Sequence, residues 1–252
     1  MTATEAMAIR LFSSDLDGTL VGHNGSTERF RRAFDAMPEA ERPLLVYNSG
    51  RLVNDIRELI GMVGLPEPDF LIGGVGTMAH DHRAGLPVGG FDDFIGSSFD
   101  AEKVERIMNS IPDVTRQPDR YQHGYKSSWY LQNAKKSRLK VIEEALTTKG
   151  LEVKLVYSSA RDLDILPRNA DKGACLSWLC QKLGIAHDDV VVAGDTGNDS
   201  AMFAVPEVRG IIPANGHDDL RALAKSNGRI YQARGEIADG VIEGLRHFGV
   251  AI

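Results

Sequence analysis

Carboxylates that follow short apolar runs are the residues of this sequence best suited to chemistry. Asp15 and Asp17 come directly after a mostly apolar run at residues 9–14, and Asp195 follows a β-branched run at residues 190–193. Each run is typical of a buried strand that stops at a glycine-containing turn. Because neighbouring parallel strands end at the same edge of a sheet, we expect Asp15 and Asp195 to lie close together. Such clustered negative charge requires a cation between the carboxylates.

Oxygen is the only ligand type that this cluster offers. Asn198 and Asp199 follow Asp195 in the same turn, and no histidine or cysteine stands beside them. That donor set favours a hard cation, Mg²⁺ before Zn²⁺. Magnesium typically takes one or two protein carboxylates and leaves room for a substrate phosphate oxygen. The cluster therefore predicts a Mg²⁺ site that faces a phosphate.

Two further polar segments could bind that phosphate. Ser49, Gly50 and Arg51 follow an apolar run at residues 44–48, and Lys172 begins a helical pattern at residues 172–183. Lys172 would oppose phosphate charge, and Ser49 could donate a hydrogen bond to it. Arg51 could contact phosphate or sugar, or pair with an acidic neighbour. Phosphoryl transfer requires mainly positioning and charge neutralisation, which these residues could supply.

The two carboxylates of the first turn suit different steps of one reaction. Asp15 and Asp17 are two residues apart, so their side chains point to the same side while the strand persists. One can be a nucleophile that forms an aspartyl phosphate. The other can protonate the leaving alkoxide and later activate water. The acid needs a raised pKa, which we expect from burial under a lid.

Strands that alternate with helices surround these residues. The patterns predict strands at 9–14, 44–48 and 70–72, and helices at 27–37 and 53–63. After residue 78 the rhythm changes, with strands at 126–131, 152–157 and 162–166 and helices at 101–110 and 135–149. It returns near residue 168, with a helix at 172–183, strands at 190–193, 208–212 and 229–231, and a helix at 238–248. We predict an α/β fold, in which a doubly wound, Rossmann-like parallel-sheet core (1–78 and 168–252) carries an inserted α/β cap domain at 79–167.

Composition narrows the classes of partner. The net charge is −6 and no run of Lys or Arg forms a basic stripe, which argues against nucleic acid. No stretch approaches the length of a membrane span, and the start of the chain lacks the apolar run of a signal peptide. The spacing of Cys175 and Cys180 suits neither a redox pair nor a zinc site and predicts two buried thiols. We expect a cytoplasmic protein that is a monomer or a small homo-oligomer.

The motifs together resemble the haloacid dehalogenase superfamily. Residues 15–19 (DLDGT), Ser49, Lys172 and residues 194–199 (GDTGND) look like its four motifs, in the same order. The resemblance implies that Asp15 is the nucleophile, that Asp17 is the general acid and base, and that Ser49 and Lys172 bind phosphate. It also implies that Asp195, Asp15 and the backbone carbonyl of Asp17 ligate Mg²⁺, supported by Asn198 and Asp199. The second aspartate of the first motif favours phosphatases and phosphomutases over dehalogenases.

Nearly the whole chain also resembles the sucrose-phosphate phosphatase group. The matching segments are residues 49–51, 126–128, 157–167 and 171–173. Within the group, residues 48–52, 72–78, 120–124 and 239–247 look most like the phosphatases of mannosylfructose phosphate. This implies that a disaccharide phosphate is the substrate. Alternatives are sucrose 6-phosphate, a glycerate-bearing sugar phosphate, a phosphomutase reaction, and a non-catalytic sensor, against which the Asp15/Asp17 pair argues.

Polar residues on the strands of the insert are candidates for sugar binding. Hydroxyl recognition requires convergent polar side chains, and the candidates are Gln122, His123, Lys126, Asp162 and Asp164. A solvated surface explains any one of them equally well. Trp129 and Tyr130 alternate on one strand, where core packing is favoured over stacking on a sugar. The segment at residues 73–76 lacks full dinucleotide-loop spacing and is better explained as a hinge or a close backbone approach to substrate.

Overall fold

The computed structural model describes residues 8–23, 25–96 and 98–252. Residues 1–7 lie outside these ranges. They belong to the predicted core domain and to the start of the chain, where the sequence lacks a signal-peptide pattern. The described residues form an eight-stranded sheet and a four-stranded sheet. The strands are β1 (Leu11–Ser14), β2 (Leu44–Asn48), β3 (Phe70–Gly73), β4 (Met78–Asp81), β5 (Leu86–Pro87), β6 (Thr115–Arg116), β7 (Ser127–Tyr130), β8 (Val153–Ser158), β9 (Asp162–Pro167), β10 (Val190–Ala193), β11 (Arg209–Ile212) and β12 (Ile230–Gln232).

The large sheet has the order β12-β11-β10-β1-β2-β3-β4-β5. All pairs from β12 to β3 are parallel, and β4 and β5 add antiparallel edges. The helices are α1 (Ser26–Asp35), α2 (Val53–Val63), α3 (Phe91–Ile95), α4 (Ala101–Met108), α5 (Lys136–Thr147), α6 (Lys172–Leu183), α7 (Ser200–Phe203), α8 (Asp218–Ala224) and α9 (Ile237–His247). Short 3₁₀ turns complete the chain, including Gly197–Asp199.

Helices cover both faces of the large sheet because both faces are apolar. Phe12 and Tyr47 pack with α1, α2 and α9 on one face, whereas Leu11 and Val46 pack with α3, α6 and α7 on the other. Successive strand residues point to opposite faces, so a nearly continuous apolar run serves both layers. The doubly wound fold class is as predicted. Among the described helices, none is long and apolar enough to cross a membrane.

The small sheet is antiparallel, with the order β6-β7-β9-β8. The helices α4 and α5 pack on it through a separate apolar cluster that includes Trp129, Ile142 and Leu163. This small sheet with its two helices is called the cap below.

The predicted start of the insert at residue 79 is wrong. β4 turns back along β3 and extends the large sheet, and β5 follows it. Phe91 and Ile95 of α3 then pack into the core of the large sheet. Residues 78–96 therefore belong with the core. Residues 84–90 are rich in Gly because they form the turns on both sides of the short edge strand β5.

Candidate active site

Three buried carboxylates meet at the carboxyl ends of β1 and β10. Asp15 directly follows β1, and its backbone N–H donates to the carbonyl of Ala193 at the end of β10 (3.0 Å). Oxygens of Asp15, Asp195 and Asp199 all lie within 4.8 Å of one another. The exposed fractions of these residues are 5%, 6% and 0%. The parallel pairing of β1 with β10 thus brings together residues 180 positions apart, as expected from the strand-end rule.

Lys172 is fully buried and lies against two of these carboxylates. Its Nζ donates to Asp15 Oδ1 (2.6 Å) and to Asp199 Oδ1 (2.7 Å). The second oxygen of Asp199 accepts the backbone N–H groups of Asp195 and Thr196 (both 3.0 Å). Asp199 therefore fixes both the lysine and the turn that follows β10.

The start of α6 sets where the lysine emerges. Asp171 is the N-cap of this helix, and its Oδ1 accepts the N–H of Ala174 (2.6 Å). A carboxylate at this position satisfies a free backbone donor and interacts favourably with the helix dipole. Lys172 is therefore the first helical residue, as predicted.

Ionisation at the cluster is perturbed by burial and by the neighbouring charges. Burial raises the pKa of Asp15 well above its usual range, and Lys172 opposes this while Asp199 and Asp195 add to it. Burial and then Asp199 raise the pKa of Asp195 to about 6. For Lys172, burial lowers the pKa, but Asp15 and Asp199 more than offset that effect. Within the described residues, Lys172 is the one buried cation that contacts this cluster.

The cluster fits a divalent cation. Its donors are carboxylate oxygens, which hard cations such as Mg²⁺ prefer, and a second positive charge would relieve their repulsion. The first turn is shaped around Asp195: the backbone of Gly18 has φ +84°, and a Cβ there would lie 2.3 Å from Asp195 Oδ2. Thr19 Oγ1 also donates to Asp195 Oδ1 (3.2 Å). Close backbone approach at Gly18 therefore helps to hold Asp195 beside Asp15.

Asp17 does not have the burial predicted for a catalytic acid. Its side chain is 53% exposed and accepts two hydrogen bonds from Arg51, from Nε (2.7 Å) and from Nη2 (2.8 Å). Of the alternatives for Arg51, the structure has the pairing with an acidic neighbour. Hydrogen bonding to Asp17 raises the pKa of Arg51. An ion pair this exposed can open at little free-energy cost.

A polar cleft of about 310 Å³ lies between the core and the cap. Its core side includes Asp15, Ser49 and Gly50. Ser49 is buried, and its Oγ accepts the N–H of Arg51 (3.2 Å), which leaves the hydroxyl hydrogen available to a ligand. The other lining residues are Asp17, Arg51, Asp55, Gln117, Tyr121, Lys126, Tyr130, Ser158, Ser159, Arg161, Asp162, Asp164, Thr196 and Asn198.

Three of the five predicted sugar-binding residues line this cleft. Lys126 is 4% exposed, and its Nζ forms an ion pair with Asp164 Oδ1 (2.9 Å) and donates to the carbonyl of Tyr121 (3.1 Å). Ser128 Oγ donates to Asp164 Oδ1 (2.6 Å) and also contacts the Lys126 Nζ. Asp162 accepts hydrogen bonds from Gln117 (3.0 Å) and from its neighbour Arg161.

Gln122 and His123 are not among the residues that line the cleft. Gln122 Nε2 donates to the carbonyls of Gln117 and Ser128 (both 2.9 Å), and its Oε1 accepts the N–H of Ser128 (2.8 Å). Its amide is therefore used inside the cap. For His123, burial and the charge of Lys126 lower the pKa, so the neutral ring is favoured.

The sequence interpretation missed several cleft residues. Ser158 and Ser159 lie at the hairpin that joins β8 to β9, where Ser159 and Ala160 have φ near +50°. The polar composition of this tight turn was the available signal: residues 157–167 resemble the sucrose-phosphate phosphatase group, but neither serine is among the predicted site residues. Tyr130, which was expected in the core, lines the cleft with the Arg161 guanidinium 5.4 Å from its ring centre.

Other predicted core residues are buried as expected. Trp129 is 1% exposed, and Cys175 and Cys180 are buried and free. The segment at residues 73–76 lies against the cap: a Cβ on Gly74 would be 3.6 Å from the Lys126 side chain. The contact is with a cap side chain, and the predicted hinge or close backbone approach to substrate stays a prediction.

Comparisons with known proteins point to one group. The family model described as Sucrose-6F-phosphate phosphohydrolase matches residues 8–249. A mannosylfructose-phosphate phosphatase of Agrobacterium fabrum is 50% identical over 242 residues, which are 96% of this chain and 98% of the relative. A sucrose-phosphatase of Nicotiana tabacum is 33% identical over 245 residues. That match covers 93% of this chain but only 58% of the tobacco protein.

Solved structures agree with this grouping. The sucrose-phosphatase of Synechocystis, in complex with sucrose and phosphate, superposes with a TM-score of 0.87 at 27% identity. The match covers 96% of this chain and 98% of that one. Haloacid dehalogenase-like hydrolases also superpose, at 18% and 14% identity, and show the fold alone.

Proposed function

The chain belongs to the sucrose-6F-phosphate phosphohydrolase family, and we propose that it is a Mg²⁺-dependent phosphatase that hydrolyses mannosylfructose phosphate to mannosylfructose and phosphate. Membership of this family makes the chain a sugar phosphatase, a phosphoric monoester hydrolase. The choice of sugar rests on the 50% identity to the Agrobacterium enzyme along almost the full length of both chains. Sucrose 6-phosphate is the second candidate, because the family model and the Synechocystis structure both point to sucrose.

Asp15 is the proposed nucleophile. It lines the cleft, and Lys172 Nζ donates a hydrogen bond to its Oδ1 (2.6 Å). In the first step, an Asp15 oxygen forms a bond to phosphorus while the bond from phosphorus to the sugar oxygen breaks. The ammonium group of Lys172 and the hydroxyl of Ser49 would stabilise the charge on the transferring phosphoryl group.

Asp17 is the proposed acid and base. To act, it must leave Arg51 and turn toward the sugar oxygen, to which it gives its proton as that oxygen departs. In the second step, Asp17 takes a proton from water, whose oxygen attacks phosphorus and releases Asp15. Arg51, once free of Asp17, would be available to substrate oxygens at the cleft wall.

A Mg²⁺ ion would be held by Asp15, Asp195 and the backbone carbonyl of Asp17. When bound, it would supply positive charge that neutralises the phosphate and the buried carboxylates. Both oxygens of Asp199 already accept hydrogen bonds from protein donors, so we assign Asp199 to fixing Lys172 and the turn. Asn198 Oδ1 accepts from Thr196 Oγ1 (2.8 Å) and would support the same turn.

The cap would select the sugar. Lys126, Asp162 and Asp164 present charged groups to the cleft, where they could bond to several sugar hydroxyls at once. We exclude Gln122 from direct contact because both hydrogens of its Nε2 and its Oε1 form hydrogen bonds within the cap. Closure of the cap over the sugar would limit the access of water before phosphoryl transfer.

One observation carries the proposal: the buried Asp15, bonded to Lys172, faces a polar cleft whose opposite wall is the cap. The test is phosphate release by the purified protein with Mg²⁺, measured side by side on mannosylfructose phosphate and sucrose 6-phosphate. We expect the catalytic efficiency to be at least tenfold higher on mannosylfructose phosphate. A preference for sucrose 6-phosphate would overturn the choice of sugar, and isomerised sugar phosphate without free phosphate would indicate a phosphomutase.

A further inference from the structure

Asn48 links the two core elements that carry the phosphate-binding residues. It is the last residue of β2 and directly precedes Ser49. Its side chain is fully buried, and Nδ2 donates to the carbonyl oxygen of Lys172 (3.0 Å). The bond therefore joins the carboxyl end of β2 to the first residue of α6, 124 positions further along the chain.

The other polar atom of this side chain has no such role. Asn48 Oδ1 is buried, and no protein group among the described residues donates a hydrogen bond to it. A buried acceptor without a donor destabilises a fold, and an aliphatic residue would fill a strand position without that penalty. The presence of an amide at this position is therefore better explained by the hydrogen bond from Nδ2 to the Lys172 carbonyl than by a contribution to stability.

Tight backbone packing surrounds the start of α6 on two other sides. A Cβ on Gly76 would lie 2.1 Å from the carbonyl oxygen of Asp171, and one on Gly173 would lie 2.0 Å from that of Ala201. These contacts limit how closely the neighbouring backbones approach, but they do not fix direction. The hydrogen bond from Asn48 is directional, so it sets the orientation of the first helical peptide relative to β2.

Lys172 is thus held at both ends. Asn48 bonds its carbonyl oxygen, while Asp15 and Asp199 bond its Nζ. Building on the phosphatase function proposed above, we propose that Asn48 is a positioning residue, which fixes Lys172 relative to Ser49 so that both meet the same phosphate. Asn48 does not contact the phosphate itself.

The consequence follows from the sensitivity of phosphoryl transfer to geometry. A misplacement of about 1 Å can lower a rate by about a hundredfold. Without the amide donor, the start of α6 can shift or rotate, and the lysine ammonium moves with it. We expect weaker phosphate binding and slower turnover, beyond any loss of stability.

The test compares Asn48→Ala with Asn48→Thr and with Tyr47→Phe in the full chain. Threonine has a volume close to that of asparagine and suits a strand, but its hydroxyl is too short to reach the lysine carbonyl. Tyr47 is the matched control: it precedes Asn48 on β2, is equally buried, and its hydroxyl donates to the carbonyl of Pro66 (2.7 Å). The Asn48 variants and Tyr47→Phe each remove one buried hydrogen bond that a β2 side chain donates to a backbone carbonyl.

Two readouts separate positioning from stability. The first is calorimetric binding of inorganic phosphate in the presence of Mg²⁺, and the second is kcat and KM for sugar-phosphate hydrolysis by folded protein. We expect both Asn48 variants to weaken phosphate binding about tenfold and to lower kcat at least tenfold. Tyr47→Phe should stay within twofold of the wild type in both readouts, although its melting temperature falls.

The proposal is wrong if a folded Asn48 variant binds phosphate and turns over like the wild type, or if Tyr47→Phe is impaired equally. If the wild type binds phosphate and hydrolyses sugar phosphates, and Asn48→Thr does both equally well, the positioning role alone is overturned. A wild type that does neither would overturn the phosphatase function and this role together.

Discussion

Replacement of Asp199 by asparagine removes one charge while it keeps the shape of the side chain. Asp199 is fully buried, with Oδ1 bonded to Lys172 Nζ (2.7 Å) and Oδ2 bonded to the N–H groups of Asp195 and Thr196 (3.0 Å each). An amide has one accepting oxygen and one donating NH₂ group. In Asp199→Asn, either the ammonium group or the two N–H groups must therefore face another donor.

The size of the effect follows from these contacts. Breaking a buried ion pair by removing one partner costs about 3–5 kcal/mol. For a chain of 252 residues, a loss of that size lowers the melting temperature by roughly 6–20 °C. The loss should be smaller without Mg²⁺, because Asp199 raises the pKa of Asp15 and of Asp195, and its neutralisation relieves that repulsion.

The assay is urea unfolding with and without Mg²⁺, together with kcat for phosphate release. We expect kcat to fall about tenfold to a hundredfold because Lys172 loses one of its two anchors. Asp239→Asn is the matched control, since that residue pairs with Arg29 at the surface with 36% and 53% exposure and should contribute no more than about 1 kcal/mol. If Asp199→Asn unfolds within 1 kcal/mol of the wild type and keeps its kcat, the reasoning about Asp199 is refuted.

Three other changes probe the site from different sides. Gly18→Ala should lower kcat at least a hundredfold, because the added Cβ would overlap Asp195 Oδ2. Gly249 has a similar φ but no atom near the position of an added Cβ, so Gly249→Ala should leave kcat unchanged; equal effects of the two variants would contradict the packing argument. Ionisation of Asp195 destabilises the metal-free fold, because burial and Asp199 raise its pKa to about 6. The metal-free protein should therefore lose roughly 3 kcal/mol of stability between about pH 4, where this carboxyl ionises in the unfolded chain, and pH 6. The stabilisation that Mg²⁺ gives in urea unfolding should grow over the same interval and level off above it; a stabilisation independent of pH would contradict this. Lys126→Ala should raise KM for a disaccharide phosphate about tenfold but KM for p-nitrophenyl phosphate less than twofold; equal changes would remove Lys126 from the sugar site.

The central elements of the fold could be predicted because their signals are local. Two strands (Leu44–Asn48 and Val190–Ala193) and two helices (Val53–Val63 and Lys172–Leu183) have the predicted bounds. Their apolar runs or helical periods end at glycine turns or at capping residues. The short strands β4, β5 and β6 could not be predicted in this way, because none of them is a continuous apolar run and their pairing depends on distant partners.

The core of the site was predictable for a similar reason. Parallel topology alone places Asp15 and Asp195 at one edge, once their strands are recognised. The orientation of Asp17 was not predictable, because it depends on an ion pair with Arg51 across 34 residues. The cleft residues of the cap, such as Gln117, are placed by contacts with strands that are distant in sequence, here with Asp162 of β9, and no local pattern specifies such contacts.

Trapping the covalent intermediate tests the central claim most directly. Enzyme that is turning over mannosylfructose phosphate with Mg²⁺ is quenched in acid and reduced with borohydride, which converts an aspartyl phosphate into homoserine. Peptide mass spectrometry should find homoserine at position 15 in the wild type and none in an Asp15→Asn variant, which should also release no phosphate. Homoserine at another aspartate, or phosphate release by Asp15→Asn near the wild-type rate, would contradict the assignment of Asp15 as the nucleophile.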